Sequence, residues 1–174
     1  MAWNVSTDLV KGDNLLFYLV SGATSADTTV NSGNCKVLAY ATSCSVQIDS
    51  ESIDTSSKFS CKWNSNMGGR AGYTISADAL YCQASSASGN DAVSFDVLMD
   101  LMVLGDPVNW VIGQEVKRPD NVECNDFSHK INVEKPYYYG SAAITSLSLE
   151  AGNNEIATCS ISMSGNGPIE RHTA

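Results

Sequence analysis

Apolar residues recur at every second position along most of this chain, the period of a half-buried β-strand. Asn14 to Val20 (NLLFYLV) is a nearly continuous apolar run and predicts a short strand. Residues 21–34 form a loop of small polar residues. A second strand is expected from Lys36 to Asp49, with Cys44, Val46 and Ile48 on one face and Ser43, Ser45 and Gln47 on the other. Ser50 to Lys58 is polar around one isolated isoleucine, Ile53, and reads as a hairpin tip. Phe59 to Trp63 looks strand-like, and Asn64 to Gly72 reads as a turn because Gly68 and Gly69 punctuate it. Further strands are expected at Tyr73 to Tyr81, Pro107 to Val116, Pro136 to Leu149 and Glu155 to Ser164. Gly152-Asn153-Asn154 joins the last two as a hairpin. The terminal GNGPIERHTA is expected to be an extended tail.

One segment breaks this rhythm. Between Ser94 and Gly105, Phe95, Leu98, Met99 and Met102 follow the spacing of an amphipathic helix. Ser94 is placed to cap its start, and Asp96 suits the positive end of the helix dipole. Gly105 and Pro107 supply the stop. A helix this short must lay its apolar stripe on a sheet, which makes Met99 and Met102 core filler.

Composition narrows the function. The chain has 174 residues and 43% hydrophobic positions, enough for one domain spanning 1–174 with a core. Only 17% of residues are charged, and the net charge is −9. Basic residues are scattered, with Lys117-Arg118 the one adjacent pair, so a protein that grips phosphate is excluded. Residues 113–135 form the most charged stretch and read as an exposed excursion or hairpin. The six cysteines have no zinc-binding spacing, and the N-terminal residues carry no signal-peptide pattern. Two readings of the cysteines stand: free thiols in a protein made in a reducing cytoplasm, or three disulfides in a secreted β-sandwich. No apolar run approaches the roughly 20 residues of a membrane-spanning helix.

The search for chemistry yields little. His129 lies in the charged stretch and His172 near the C-terminus, where chains are usually mobile. Neither has the context of a catalytic base, and there is no nucleophile elbow, phosphate loop or metalloprotease helix. Asp49, Glu51 and Asp54 lack the glycine and closing glutamate of a calcium loop. Trp3, Trp63 and Trp110 are scattered and require no sugar-stacking role. The expectation is a protein without catalysis, cofactor or metal.

Two passages carry a resemblance. They are Ala41 to Lys58 (ATSCSVQIDSESIDTSSK) and Tyr138 to Pro168 (YYGSAAITSLSLEAGNNEIATCSISMSGNGP). They resemble the major tail tube proteins of siphophages, the TP901-1-like group, related in fold to type VI secretion tube proteins. The order between them agrees: strand, glycine turn, strand, one helix, strand. The resemblance implies a mainly β fold, a sandwich or barrel-like tail tube domain with one flanking helix at about 94–104. It implies hexameric rings whose sheets join into an inner barrel, stacked into a conduit through which double-stranded DNA passes. It assigns the polar loop 50–62 (Glu51, Ile53, Asp54, Thr55, Ser56, Ser57 and Lys58) to contact with the next ring. Gly165, Gly167 and Pro168 would lie in a C-terminal segment touching a neighbouring subunit. It further implies tape measure, tail terminator and distal tail proteins as partners, and a virion tail assembled in the bacterial host cytoplasm. The alternatives are a secreted carbohydrate-binding β-sandwich and the inner tube of a contractile injection system.

Overall fold

The computed structural model describes residues 10, 12–20, 30, 33–38, 40–56, 63–81, 92–116 and 129–173. After a short 3-10 turn at Gly12–Asn14, the described strands are β1 (Leu15–Val20), β2 (Cys35–Leu38), β3 (Ala41–Asp54), β4 (Asn66–Leu80) and β5 (Ala92–Val93). Then come the helix α1 (Phe95–Leu104), β6 (Val108–Gln114), β7 (Tyr137–Glu150), β8 (Thr158–Gly165) and β9 (Glu170–His172). They form one nine-stranded sheet in the order β3-β4-β8-β7-β6-β1-β2-β5, with β9 added to β7. All pairs are antiparallel except β2 with β5.

The sheet curls so that its inner faces meet. Ile75, Ala77 and Ala79 of β4, Cys159, Ile161 and Met163 of β8, and Phe17, Leu19, Val108 and Trp110 from the far half share one core. Period-two alternation puts them there, because side chains two apart share a face. The far half is buried on its other face as well, where Tyr18, Val37 and Val111 join Ile131 and Tyr137 in a second cluster. That explains why Leu15 to Val20 is continuously apolar rather than alternating.

Several boundaries differ from the sequence expectation. The strand expected over 36–49 is two strands in different parts of the sheet, because Tyr40 takes a positive φ of 52° and turns the chain between them. The glycine turn expected at Asn64–Gly72 is absent. Asn66–Gly72 is the first half of β4, and Ser50–Asp54 of the expected polar loop extend β3 beside it. The paired strands tolerate Gly68 and Gly69 because β4 bulges there, with Ser50 opposite Ala71 but Ser52 opposite Gly68. The strand expected at 59–63 and the loop at 21–34 fall largely outside the described residues. So does most of the charged stretch 113–135, although its base closes as a hairpin through the Glu115–Ile131 bridge. The expected tail contains a strand, since β9 pairs with Tyr137–Tyr139 and His172 stacks on Tyr137 with ring centres 4.6 Å apart.

The helix is where the sequence puts it, but it is turned differently. Gly105 ends it with φ 74°, and its N–H donates to the Leu101 and Met102 carbonyls. Ser94 occupies the capping position with extended backbone, yet its hydroxyl caps nothing and is buried without a hydrogen-bond partner among the described residues. The stripe facing the core is Phe95, Leu98 and Leu101. Met99 and Met102, expected as core filler, are exposed. On β3, Cys44 and Ile48 are also exposed, Ile48 to 64%, while Val46 between them is partly buried against the core. Beside them runs an apolar groove of about 260 Å³, walled on the far side by Leu15, Ile112 and Tyr138.

Candidate functional site

The outer face of β3, β4, β8 and β7 is an array built by register. Three rows cross it: Gln47, Thr74, Ser164 and Ala143; then Ser45, Ser76, Ser162 and Ser146; then Ser43, Asp78, Ser160 and Ser148. All twelve positions are exposed, and Asp78 is the only charge among them. The inner face at intervening positions is apolar, as in the row Val46, Ile75, Met163 and Ile144. Strand alternation therefore separates a hydroxyl-lined face from a core across one layer.

Asp78 is held by its row. Ser160 Oγ and Ser43 Oγ each donate to its carboxylate at 2.7 Å. Those bonds, Ser160 first, hold the carboxyl below its ordinary value of 3.8. Asp49 and Glu150 border the array. No lysine or arginine stands in the rows, so the face offers phosphate no cation.

Two strand edges beside this face have no partner among the described residues. The first is the edge of β3 away from β4. The second is on β7. Tyr138–Ala142 pair with β6 on one side while β9 and β8 occupy the other, so Ala143–Glu150 lack a strand on the β6 side. Open main-chain donors and acceptors invite another strand. The two edges run in opposite directions, because β3, β4, β8 and β7 alternate antiparallel.

Beyond the array the β3–β4 hairpin projects from the body. Glu51, Ile53 and Asp54 are in its β3 arm, with Ile53 opposite Met67 and Asp54 opposite Asn66. Past the strand, Thr55 Oγ1 donates to the Ser65 carbonyl at 2.9 Å and the Ser56 N–H donates to Asp54 at 2.8 Å. The Ser56 hydroxyl first, and then that N–H, hold the Asp54 carboxyl below its ordinary range. Ser57 and Lys58 lie outside the described residues. In the C-terminal segment, Gly165 ends β8 directly beneath the Tyr73 ring. Gly167 turns with φ 97°, and Pro168 follows it exposed.

The remaining candidates form no shared site among the described residues. Trp110 is buried, edge-on to Tyr73 with ring centres 5.6 Å apart, and its indole N–H donates to the Tyr73 hydroxyl at 3.3 Å. Trp63 is exposed, and Trp3 is outside the described residues. His129 Nδ1 lies 2.7 Å from Glu115 at the base of the 113–135 hairpin, away from the array. Among the described residues no cluster could hold a metal ion, and no helix is long and apolar enough to cross a membrane. Cys35 and Cys44 are free thiols and Cys159 is buried in the core; Cys61, Cys82 and Cys124 lie outside the described residues. The array and its two edges were invisible in sequence, because they depend on which strands become neighbours.

Comparison with known proteins points one way. Residues 10–171 match the family model for phage tail tube proteins. A search of curated protein sequences finds no match. Among solved structures, a chain in the tail of an empty gene transfer agent particle, refined with C6 symmetry, is 16% identical with a TM-score of 0.62. The match covers 93% of this chain and 98% of that one. The SPP1 tail tube is 10% identical with a TM-score of 0.64, covering 95% of this chain and 80% of that one. A chain of the sheath-tube complex of PVC, an extracellular contractile injection system, is 11% identical with a TM-score of 0.60, covering all of both chains. At such identities these likenesses speak for the fold.

Proposed function

The chain belongs to the phage tail tube protein family, a non-enzymatic structural component of the virion tail, and from that premise we propose how it builds its tube. Six copies join edge to edge in a ring, the β3 edge of each pairing with Ala143–Glu150 of the next. The observation that carries this is the pair of open edges flanking one four-stranded face. A rotation about the ring axis preserves strand direction, so the new pair is antiparallel like the rest. Closure of the ring then uses up both edges. The C6 refinement of the similar gene transfer agent tail supports six copies.

Six such sheets give about 24 strands at ~4.8 Å spacing, a circumference of roughly 115 Å and ~37 Å between opposite backbones. That leaves a lumen wide enough for duplex DNA. The hydroxyl array lines it, and Asp78 makes its acids outnumber its bases, as expected of a wall that must release phosphate. Rings stack through the projecting hairpin, which carries Glu51 to Ser56 toward the next ring; Ser57 and Lys58, assigned to the same contact, lie outside the described residues. The C-terminal segment Gly165–Pro168 lies at a neighbour's border. The tape measure protein inside and the terminator and distal tail proteins at the ends complete the assembly. The TP901-1-like siphophage tail is the setting favoured by the two matching passages. The PVC likeness keeps a contractile inner tube as the second reading.

Electron microscopy of the purified chain tests the proposal. Sixfold rings or tubes are expected; a monomer at high concentration overturns it.

A further inference from the structure

Two sets of residues patterned for burial are open to solvent in the single chain. One is the β3 face with Cys44 and Ile48, where strict alternation otherwise marks a core-facing strand. The other is the outer side of α1, where Met99 and Met102 are joined by Val103, 82% exposed, and Leu104, 70% exposed. A ten-residue helix with this many bare apolar side chains is covered on one side only.

The topology brings the two together across a subunit boundary. α1 lies on the core side of the sheet, with Leu98 buried in the shared core and Ile144 and Leu147 of β7 packed against that cluster. It therefore sits beside the β7 edge that lacks a strand. When a strand is added to an edge, the alternation of faces continues into it. A neighbour's β3 paired there turns Ser43, Ser45 and Gln47 toward the hydroxyl face and Cys44, Val46 and Ile48 toward the core side. The core side is where α1 stands. The α1 span leads from Phe95, beside Tyr81 at the end of β4, to Val108, opposite Ala142. That is the span of the open β7 edge.

We propose that the outer side of α1 in one copy, Met99 and Val103 with Leu104 at its C-terminal end, docks on the Cys44–Val46–Ile48 face of β3 in the next copy and closes the groove beside it. The inference rests on the edge-to-edge ring above. It adds the second contact of the same joint, a side-chain one on the core side of the shared strand pair. The occupant is another copy because the two faces lie on opposite flanks of one chain, the arrangement a head-to-tail ring requires.

A charge exchange tests it. Ile48→Glu and Leu104→Lys alter exposed side chains, so each variant is expected to keep the wild-type circular dichroism spectrum and melting temperature. Each alone should remain monomeric in sedimentation velocity and show no rings by electron microscopy. Mixed in equal amounts they should form rings of alternating composition, in which lysine meets glutamate at every second joint and the wild-type pair meets at the others. The double variant in one chain should also form rings. Rings from either single variant alone overturn the inference, as does a mixture that stays monomeric. A wild-type chain that forms neither rings nor tubes overturns the ring reading itself, and this joint with it.

Discussion

At the scale of single residues, the core is set by a few close approaches. Gly165 is in β8 because Tyr73 occupies the space a side chain would need. The Tyr73 hydroxyl donates to the Ser141 carbonyl and receives the Trp110 indole N–H, so the ring cannot swing away without breaking both bonds. Gly165→Ala should therefore destabilise the chain by about 1–3 kcal/mol, the cost of overpacking, read from urea unfolding of the monomer. Cys35 gives a second prediction. Burial pushes its thiol from 9.0 up to about 11. The unfolded chain then loses its thiol proton first as pH rises, so stability is unaffected below about pH 9 and falls between 9 and 11. Cys35→Ala should flatten that alkaline decline in unfolding curves taken at pH 8, 9, 10 and 11. The prediction is attached to Cys35 because it is buried. Cys44 is shifted equally by the groove walls but keeps an exposed flank, where solvent weakens the effect.

At the scale of elements, periodicity located most strands and the helix from sequence alone. Pro136 to Leu149 matches β7 closely and Glu155 to Ser164 contains most of β8, whereas Tyr73 to Tyr81, with its strictly alternating buried face, covers only the second half of β4. Three things were not legible. Tyr40 adopts a positive φ that no local residue type announces, so one apolar pattern hid two strands. Gly68 and Gly69 read as a turn although a bulge absorbs them and the two strands stay paired as far as Asp54 and Asn66. Met99 and Ile48 read as core because periodicity reports burial without saying by which molecule. The resemblance in 41–58 and 138–168 supplied the ring and the tube, which spacing alone does not contain. The hairpin carries its own prediction. Deleting Ser52 to Ser57 shortens the projecting arm while leaving the array and core, so the variant should fold, with an unchanged circular dichroism spectrum. It should no longer form long tubes under the electron microscope. Tubes of normal length would remove the hairpin from ring stacking.

At the scale of the whole molecule, one sheet serves two surfaces of opposite character. The core side holds the chain together through apolar burial, and the other is serine after serine. Hydroxyls hydrate well, and without cations they release no counterions when DNA passes, so they give phosphate nothing to hold. Ser76→Lys and Ser162→Lys should leave assembly intact, because both side chains are exposed, yet convert the tube into a DNA binder. Wild-type tubes should fail to retain duplex DNA in a low-salt sedimentation assay. The variant tubes should retain it, and lose it again as salt is raised. Retention by the wild type would remove the hydroxyl array from the role of a low-friction wall.

The β3–β4 hairpin leaves the body in one direction only, while the β7–β8 turn at Ala151–Ala157 closes the opposite end of the same sheet. In the stack proposed above, copies joined through that hairpin would all point the same way, making the polymer a vector with unlike tips. One tip offers free hairpins and the other offers the surface that receives them. A single kind of plug cannot fit both. On that proposal, whatever starts the filament and whatever halts it would be different molecules, each shaped to one half of the same joint.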